Sequence, residues 1–220
     1  MSRGNGRMQI FLDDRDHREF IYLLGAVCEE FEIECWSHCE MPNHYHAVLR
    51  AMQENFSQAI QVLNGEYAKW WNRRHSRVGH VFQGRFKDQI VGTPDYVRTL
   101  LRYVARNPVR ARLVDDPAKW PWSSYAATVG LEPALSFLTL GPALAHFGEG
   151  GTESARQSFA DFVAVAAEGS LEDRIRSKDR VLGDAAFKRA FKAMERELRP
   201  VAAVVVAEDA RTPLVSADLA

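Results

Sequence analysis

Residues 32–49 read EIECWSHCEMPNHYHAVL, and their pattern predicts two strands joined by a turn. Side chains from Glu32 to Cys39 partly alternate between apolar and polar, which predicts a β-strand. The segment Met41-Pro42-Asn43 is a turn signal. The residues from His44 to Leu49 predict a second strand, and because the connection is so short, the two strands are expected to be antiparallel.

Helical patterns surround this hairpin. The first predicted helix begins at an Asp13 or Asp14 cap and ends near residue 31, and the second covers 57–74 with Ser57 as its cap. The third begins at Thr93-Pro94-Asp95 and ends at residue 106, after a short strand candidate at 87–91. Helices packed on an antiparallel sheet define an α+β fold.

The composition changes near residue 130, which predicts a division of the chain. Residues 1–130 are expected to form the main domain. Residues 131–199 are expected to form a helical extension, with helical patterns at about 153–168 and 184–198. Residues 200–220 are a low-complexity Ala/Val tail with scattered acids, which we expect to be poorly ordered.

Composition excludes several classes of protein. The 220 residues are 46% hydrophobic, which is typical of a globular protein. No apolar run approaches the roughly 18 residues that a membrane span needs, so we expect no membrane partner. The N-terminal residues MSRGNGR contain no apolar signal-peptide core, which favours the cytoplasm. Three cysteines, an odd number, argue against a disulfide scaffold.

The net charge of −1 hides a basic segment. Residues 69–112 contain 11 Lys/Arg and 2 Asp/Glu, a net charge of +9, which is typical of a surface that binds a polyanion. A solvated basic helix pair is the alternative interpretation. Within the third helix, arginines recur every four residues and form a ridge that could contact successive phosphates or be balanced by the acid-rich first helix. The candidate DNA-binding residues of this segment are Arg73, Arg74, Arg85, Lys87, Arg98, Arg102, Arg106 and Arg110.

Two pairs of side chains could form a catalytic site. His44 and His46 lie two residues apart on a strand, so both imidazoles share one face and could bind a divalent metal. Tyr103 and Asn107 lie four apart on a helix and also share a face. The alternatives are partly buried histidines beside a turn, a core tyrosine, and an asparagine that caps the helix before Pro108.

A zinc site is a weaker interpretation of the same hairpin. Cys35 and Cys39 share a strand face with histidines nearby, but the C-x3-C spacing does not match the common zinc modules. Thiols that pack as small hydrophobic groups are the favoured interpretation.

Together these motifs resemble the REP-associated tyrosine transposases, a branch of the single-tyrosine HUH transposases. The similarity extends over residues 2–127 in the order and spacing of that family. The matching strings are SRGNGR (2–7), IFLDDRDHREF (10–20), CEMPNHYHAVLR (39–50), LNGEYAKWWNRRHSRVGHVFQGRFK (63–87), RYVARNPVRARLV (102–114) and WPWSSYAA (120–127). A weaker similarity links VLGDAAFKRAF (181–191) to a helix-turn-helix DNA-binding module.

The resemblance implies a ferredoxin-like antiparallel sheet with helices. It also implies a metal-dependent endonuclease and strand transferase acting on single-stranded or hairpin DNA, which transposes DNA or processes repeat hairpins. The family's metal-binding histidines match His44 and His46, its nucleophile matches Tyr103, and Asn107 matches the residue that completes metal coordination. Either Mg²⁺ or Mn²⁺ would then be the cofactor, Mn²⁺ binding more tightly through nitrogen ligands.

The chain departs from the family pattern at its beginning. Relatives have a segment before SRGN that supplies the first strand, so we expect that strand to be missing. An open edge beside residues 44–49 could then pair with a second copy of the chain. An alternative function is that of a catalytically inactive protein that binds DNA hairpins, and a phosphoesterase without a covalent step is a third.

Overall fold

The computed structural model describes residues 2–149, 152–165 and 180–194. It has an α+β fold, as predicted, with helices packed on a three-stranded antiparallel sheet. The strands are β1 (Ser2–Arg3), β2 (Ile33–Met41), β3 (His44–Ala51), β4 (Ile90–Val91) and β5 (Val181–Leu182). The helices are α1 (Asp14–Glu30), α2 (Phe56–Arg74), α3 (Pro94–Arg110), α4 (Tyr125–Thr128), α5 (Leu140–Leu144), α6 (Glu153–Ala164) and α7 (Ala185–Met194).

The main sheet has the strand order β1-β3-β2, and β2 and β3 form the predicted hairpin. The position beside the histidine-bearing strand, which was expected to be empty, is in part filled: Ser2 pairs with Tyr45 and Arg3 with His44. Among the described residues, no strand continues this pairing along β3 beyond Tyr45. The expectation of a missing strand is therefore wrong for the first two residues of β3.

The N-terminal residues also connect β3 to the loop that follows α2. The amide of Gly4 donates to the carbonyl of Asn43 (2.8 Å), and the amide of Gln83 donates to the carbonyl of Arg3 (2.7 Å). Gly4 is required at this crossing, because a Cβ there would lie 2.1 Å from the backbone oxygen of Met8. The basic loop is thus held next to the turn that precedes His44.

Helix boundaries follow from local capping. Asp13 caps α1 by accepting hydrogen bonds from the amides of Arg15 and Asp16. The predicted cap Ser57 lies inside α2, which begins one residue earlier. Helix α3 extends to Arg110 instead of ending at residue 106. Pro108 lies inside the helix, which continues past this residue although a proline has no amide hydrogen to donate.

Two hydrophobic clusters cover the two faces of the sheet. Helices α1 and α2 cover the face that carries Tyr45, and the cluster there includes the fully buried Phe20, Tyr67 and Trp71. Helices α3, α5 and α6 cover the opposite face, where their apolar side chains pack with Cys39 and Val48 of the sheet. Residues 140–163 thus share a core with α3, and the division at residue 130 stays a prediction.

The predicted strand 87–91 does not join the main sheet. Only Ile90–Val91 is extended, and it pairs in parallel with β5 in a separate two-stranded sheet. Helix α7 follows β5, and its Phe187 lies against Gly92, where a Cβ would be 2.2 Å from the ring. Residues 181–191, predicted to resemble a helix-turn-helix, therefore form a strand and a helix.

Parts of two predicted helices and the predicted tail lie outside the described residues. The pattern at 153–168 appears as α6 up to Ala164, and the pattern at 184–198 appears as α7 up to Met194. The tail at 200–220 lies wholly outside. Within the described ranges, each helix is too short or too polar to cross a membrane.

Candidate active site

His44 and His46 lie on the face of β3 that packs against α3. Their ring centroids are 4.9 Å apart and nearly perpendicular. His46 is 1% exposed, and the ring of Tyr103 from α3 meets it edge-on, with 5.6 Å between centroids. The three side chains predicted from strand and helix spacing therefore converge at one place.

Neighbouring groups keep the histidines neutral and oriented. The Nδ1 of His44 lies 2.6 Å from the Oδ1 of Asn43, so Nδ1–H donates and Nε2 keeps its lone pair. Burial, followed by the charge of Arg3, lowers the pKa of His44 to about 3. Burial, followed by the proximity of His44, holds the pKa of His46 well below its usual range. Neutral imidazoles are the form that binds metals.

Asn107 lies one turn beyond Tyr103 within α3 and does not cap the helix. Its Nδ2 donates to the carbonyl of Tyr103 (2.9 Å). This bond uses the amide nitrogen and leaves the amide oxygen, the atom that binds cations, with its lone pairs. Tyr103 is 4% exposed, so it belongs to the core of this face and to the candidate site at once.

The donor set fits a divalent cation. Two imidazole nitrogens and one amide oxygen are ligands that Mn²⁺ and, less strongly, Mg²⁺ accept. The alternative zinc set is not assembled: within the described ranges, no group of three or more His, Cys, Asp or Glu side chains could hold a metal. Cys35 and Cys39 are buried free thiols. Burial raises the pKa of Cys39, and the charge of Glu40 adds to this shift, so its thiol stays protonated.

The arginine ridge of α3 packs largely against the C-terminal part of the fold. The guanidinium of Arg98 lies over the rings of Phe147 and Phe162, and that of Arg102 lies 4.2 Å from the Phe162 centroid. Arg106 donates to the carbonyl of Val163 (2.7 Å). These three guanidinium groups contact α6 and its surroundings, so the interpretation that α1 balances them is wrong.

The acids of α1 instead bind a basic residue of α2. Arg74 donates to Asp13 (2.6 Å) and to the fully buried Asp16, which His75 also contacts at 3.0 Å. The hydrogen bond from Arg74 lowers the pKa of Asp13 to about 2. Arg74, a candidate for DNA binding, therefore has a structural role in joining two helices.

The remaining candidates lie on or after the end of α2. Arg73, Arg85 and Lys87 are exposed. The loop that carries Arg85 is tied to the strand beside His44 by the bonds to residues 3–5. These three cations are therefore the candidates that the fold leaves at the surface.

Sequence reasoning missed three contributors to the site. Asn43 orients His44, and Arg3 adds positive charge beside it, but nothing in the local sequence pattern identifies either role. The guanidinium of Arg110 lies 4.7 Å from the centroid of the Tyr103 ring. That pairing had a signal, because residues seven apart on a helix share a face.

Comparison with known proteins is consistent with this geometry. The family model described as "Transposase IS200 like" matches residues 1–107. Residues 1–107 are similar to the IS200-like transposases. The IS200-like match covers both histidines, Tyr103 and Asn107, and it confirms the family resemblance predicted from the sequence. The family's activity is the processing of DNA.

Individual relatives of the chain are distant. A protein of Haemophilus influenzae assigned to the REP-associated tyrosine transposases is 24% identical over 125 residues, which are 52% of this chain and 71% of the relative. A solved structure of a REP-associated tyrosine transposase bound to a REP hairpin is 22% identical. It aligns with 69% of this chain and 87% of its own length, with a TM-score of 0.48.

Proposed function

We propose that the protein is a metal-dependent single-strand DNA endonuclease and strand transferase that uses Tyr103 as its nucleophile. The observation that carries the proposal is the convergence of Tyr103 with His44 and His46, since the tyrosine ring lies edge-on to His46 at 5.6 Å. The IS200-like family supports DNA as the substrate. We propose a single-stranded or hairpin DNA as the form that is bound.

Each residue of the site would have a distinct role. His44, His46 and Asn107 would hold the divalent cation, Mg²⁺ or Mn²⁺. When bound, this cation would neutralise charge on the scissile phosphate as a Lewis acid. The Tyr103 hydroxyl would lose its proton as its oxygen forms a bond to phosphorus. The bond from phosphorus to one sugar oxygen would break, and that sugar oxygen would take up one proton, so the number of protons is unchanged. The covalent phosphotyrosine keeps the energy of the phosphodiester for rejoining.

The exposed cations of the basic segment would bind the phosphate backbone. Arg73, Arg85 and Lys87 are suited to this role, because their side chains lie at the surface. The guanidinium groups of Arg98, Arg102 and Arg106 contact aromatic rings or carbonyls of the same chain. We therefore assign them to packing and not to binding of DNA.

The experiment that tests this function looks for the covalent intermediate. The protein is incubated with labelled single-stranded DNA that carries a hairpin, in the presence of Mn²⁺, and the mixture is separated on a denaturing gel. We expect a protein–DNA band that is absent for Tyr103→Phe, His44→Ala and His46→Ala. Hairpin binding by all three variants should persist. Binding by the wild type without such a band would instead assign the chain to inactive hairpin-binding proteins.

A further inference from the structure

The side chain of Arg110 differs in its surroundings from the other arginines of α3. Its guanidinium carbon lies 4.7 Å from the centroid of the Tyr103 ring, within the range of a cation–π contact. Arg106, four residues earlier, directs its guanidinium to the carbonyls of Val163 and Ala164. Arg110 is therefore the arginine of this ridge that faces the tyrosine.

One nitrogen of this guanidinium has an unused donor. Among the residues that the structure describes, the buried Nη1 of Arg110 has no hydrogen-bond partner. A buried donor without an acceptor is destabilising, and more so when the group is charged. An oxygen supplied by a ligand beside Tyr103 would remove this cost. The guanidinium fork matches phosphate oxygens in charge and geometry, which makes phosphate the chemistry that this donor would accept.

We propose that Arg110 is a catalytic residue that contacts the scissile phosphate while its flat face holds the Tyr103 ring in position. The proposal rests on the function proposed above and assigns Arg110 to the chemical step. When the tyrosine oxygen bonds to phosphorus and the sugar oxygen leaves with a proton, negative charge is spread over the non-bridging oxygens. Nη1–H of Arg110 donates to one of these oxygens.

The test compares rates of formation of the covalent adduct in a single turnover with excess protein. Arg110→Gln removes the charge, Arg110→Lys keeps it without the planar fork, and Arg112→Gln is the matched control. Arg112 is exposed, two residues further along. We expect Arg110→Gln to lower the rate by about 10²-fold, as for the loss of one preorganised donor. The rate for Arg110→Lys should lie between the rates of the wild type and Arg110→Gln, and Arg112→Gln should react at the wild-type rate. The affinity for hairpin DNA should change little in all three variants.

A second DNA substrate distinguishes a contact between Arg110 and the scissile phosphate from a merely structural role of Arg110. A methylphosphonate at the mapped cleavage position replaces a charged non-bridging oxygen with a methyl group. If Arg110 acts on that charge, the ratio of wild-type to Arg110→Gln rates falls to a few-fold or less on this substrate. An equal ratio on both substrates would overturn the phosphate contact, as would an unchanged rate for Arg110→Gln on normal DNA. A wild-type protein that forms no adduct at all would instead refute the proposed function.

Discussion

His17 lies between two aromatic rings, and protonation of its imidazole should destabilise the fold. The ring stacks on Phe11, with centroids 4.5 Å apart and an interplanar angle of 11°. On its other side it stacks on Trp122 at 4.3 Å and 5°. The residue is 6% exposed. Burial lowers the pKa of His17 to about 4 from 6.5, although Asp16 and Asp13 oppose the shift.

The sign of the effect follows from which state binds the proton. Between pH 6.5 and 4 the unfolded chain binds a proton at this position and the folded chain does not, so stability falls as the pH decreases. Above pH 6.5 the imidazole is neutral in both states, so the folded state keeps the full stabilisation that depends on a neutral His17. A pKa difference of about 2.5 units corresponds to about 3 kcal/mol, since each unit is worth 1.36 kcal/mol.

The measurement is the free energy of unfolding in urea at several pH values from 7.5 to 4, with EDTA present. His17→Phe keeps an aromatic ring between Phe11 and Trp122 but cannot bind a proton. We expect the wild type to lose about 3 kcal/mol more than this variant over that range, because contributions of other groups cancel in the difference. His80→Gln, a change at an exposed histidine, should follow the wild type. Parallel curves for wild type and His17→Phe would refute the reasoning.

Three further outcomes can be checked. Gly92→Ala should place a methyl group against Phe187 and so weaken the docking of α7 by about 1–3 kcal/mol. The loss should be seen as faster hydrogen exchange at residues 181–191. Arg73→Gln should lower the slope of log affinity against log salt for hairpin DNA by about 1, whereas Arg106→Gln should leave it unchanged, and equal slopes would contradict the assignment. Chelation of divalent cations should abolish the covalent adduct and added Mn²⁺ should restore it; an adduct that persists in EDTA would argue against a metal in the reaction.

The main parts of the fold and site could be predicted because they depend on local periodicity. A period of two places His44 and His46 on one strand face, and a period of 3.6 places Tyr103 and Asn107 on one helix face. The turn at residues 41–43 determines that the two strands of the hairpin are antiparallel. These patterns need only a few consecutive residues, so the sequence contains them in full.

Contacts between distant segments could not be predicted in this way. The arginine spacing of α3 indicates that these residues share one stripe of the helix, but their aromatic partners, such as Phe162, come from a helix that begins at residue 153. The stacking of Trp122 on His17 likewise joins two segments with no shared period. Asp16 is a buried acid whose partner Arg74 follows 58 residues later. Which charge is buried and which is exposed depends on tertiary packing.

The pairing of β4 with β5 has a consequence for the order of folding. Residue 90 pairs with residue 181, and residue 91 with residue 182, so the two short strands meet only after a long stretch of chain has been closed into a loop. Closing this loop costs conformational entropy, and the pairing gains very few hydrogen bonds to offset that cost. Contacts of high sequence separation form slowly. The β5–α7 unit should therefore dock last during folding and open first during unfolding, as a separate cooperative unit on an already folded hairpin and helix core.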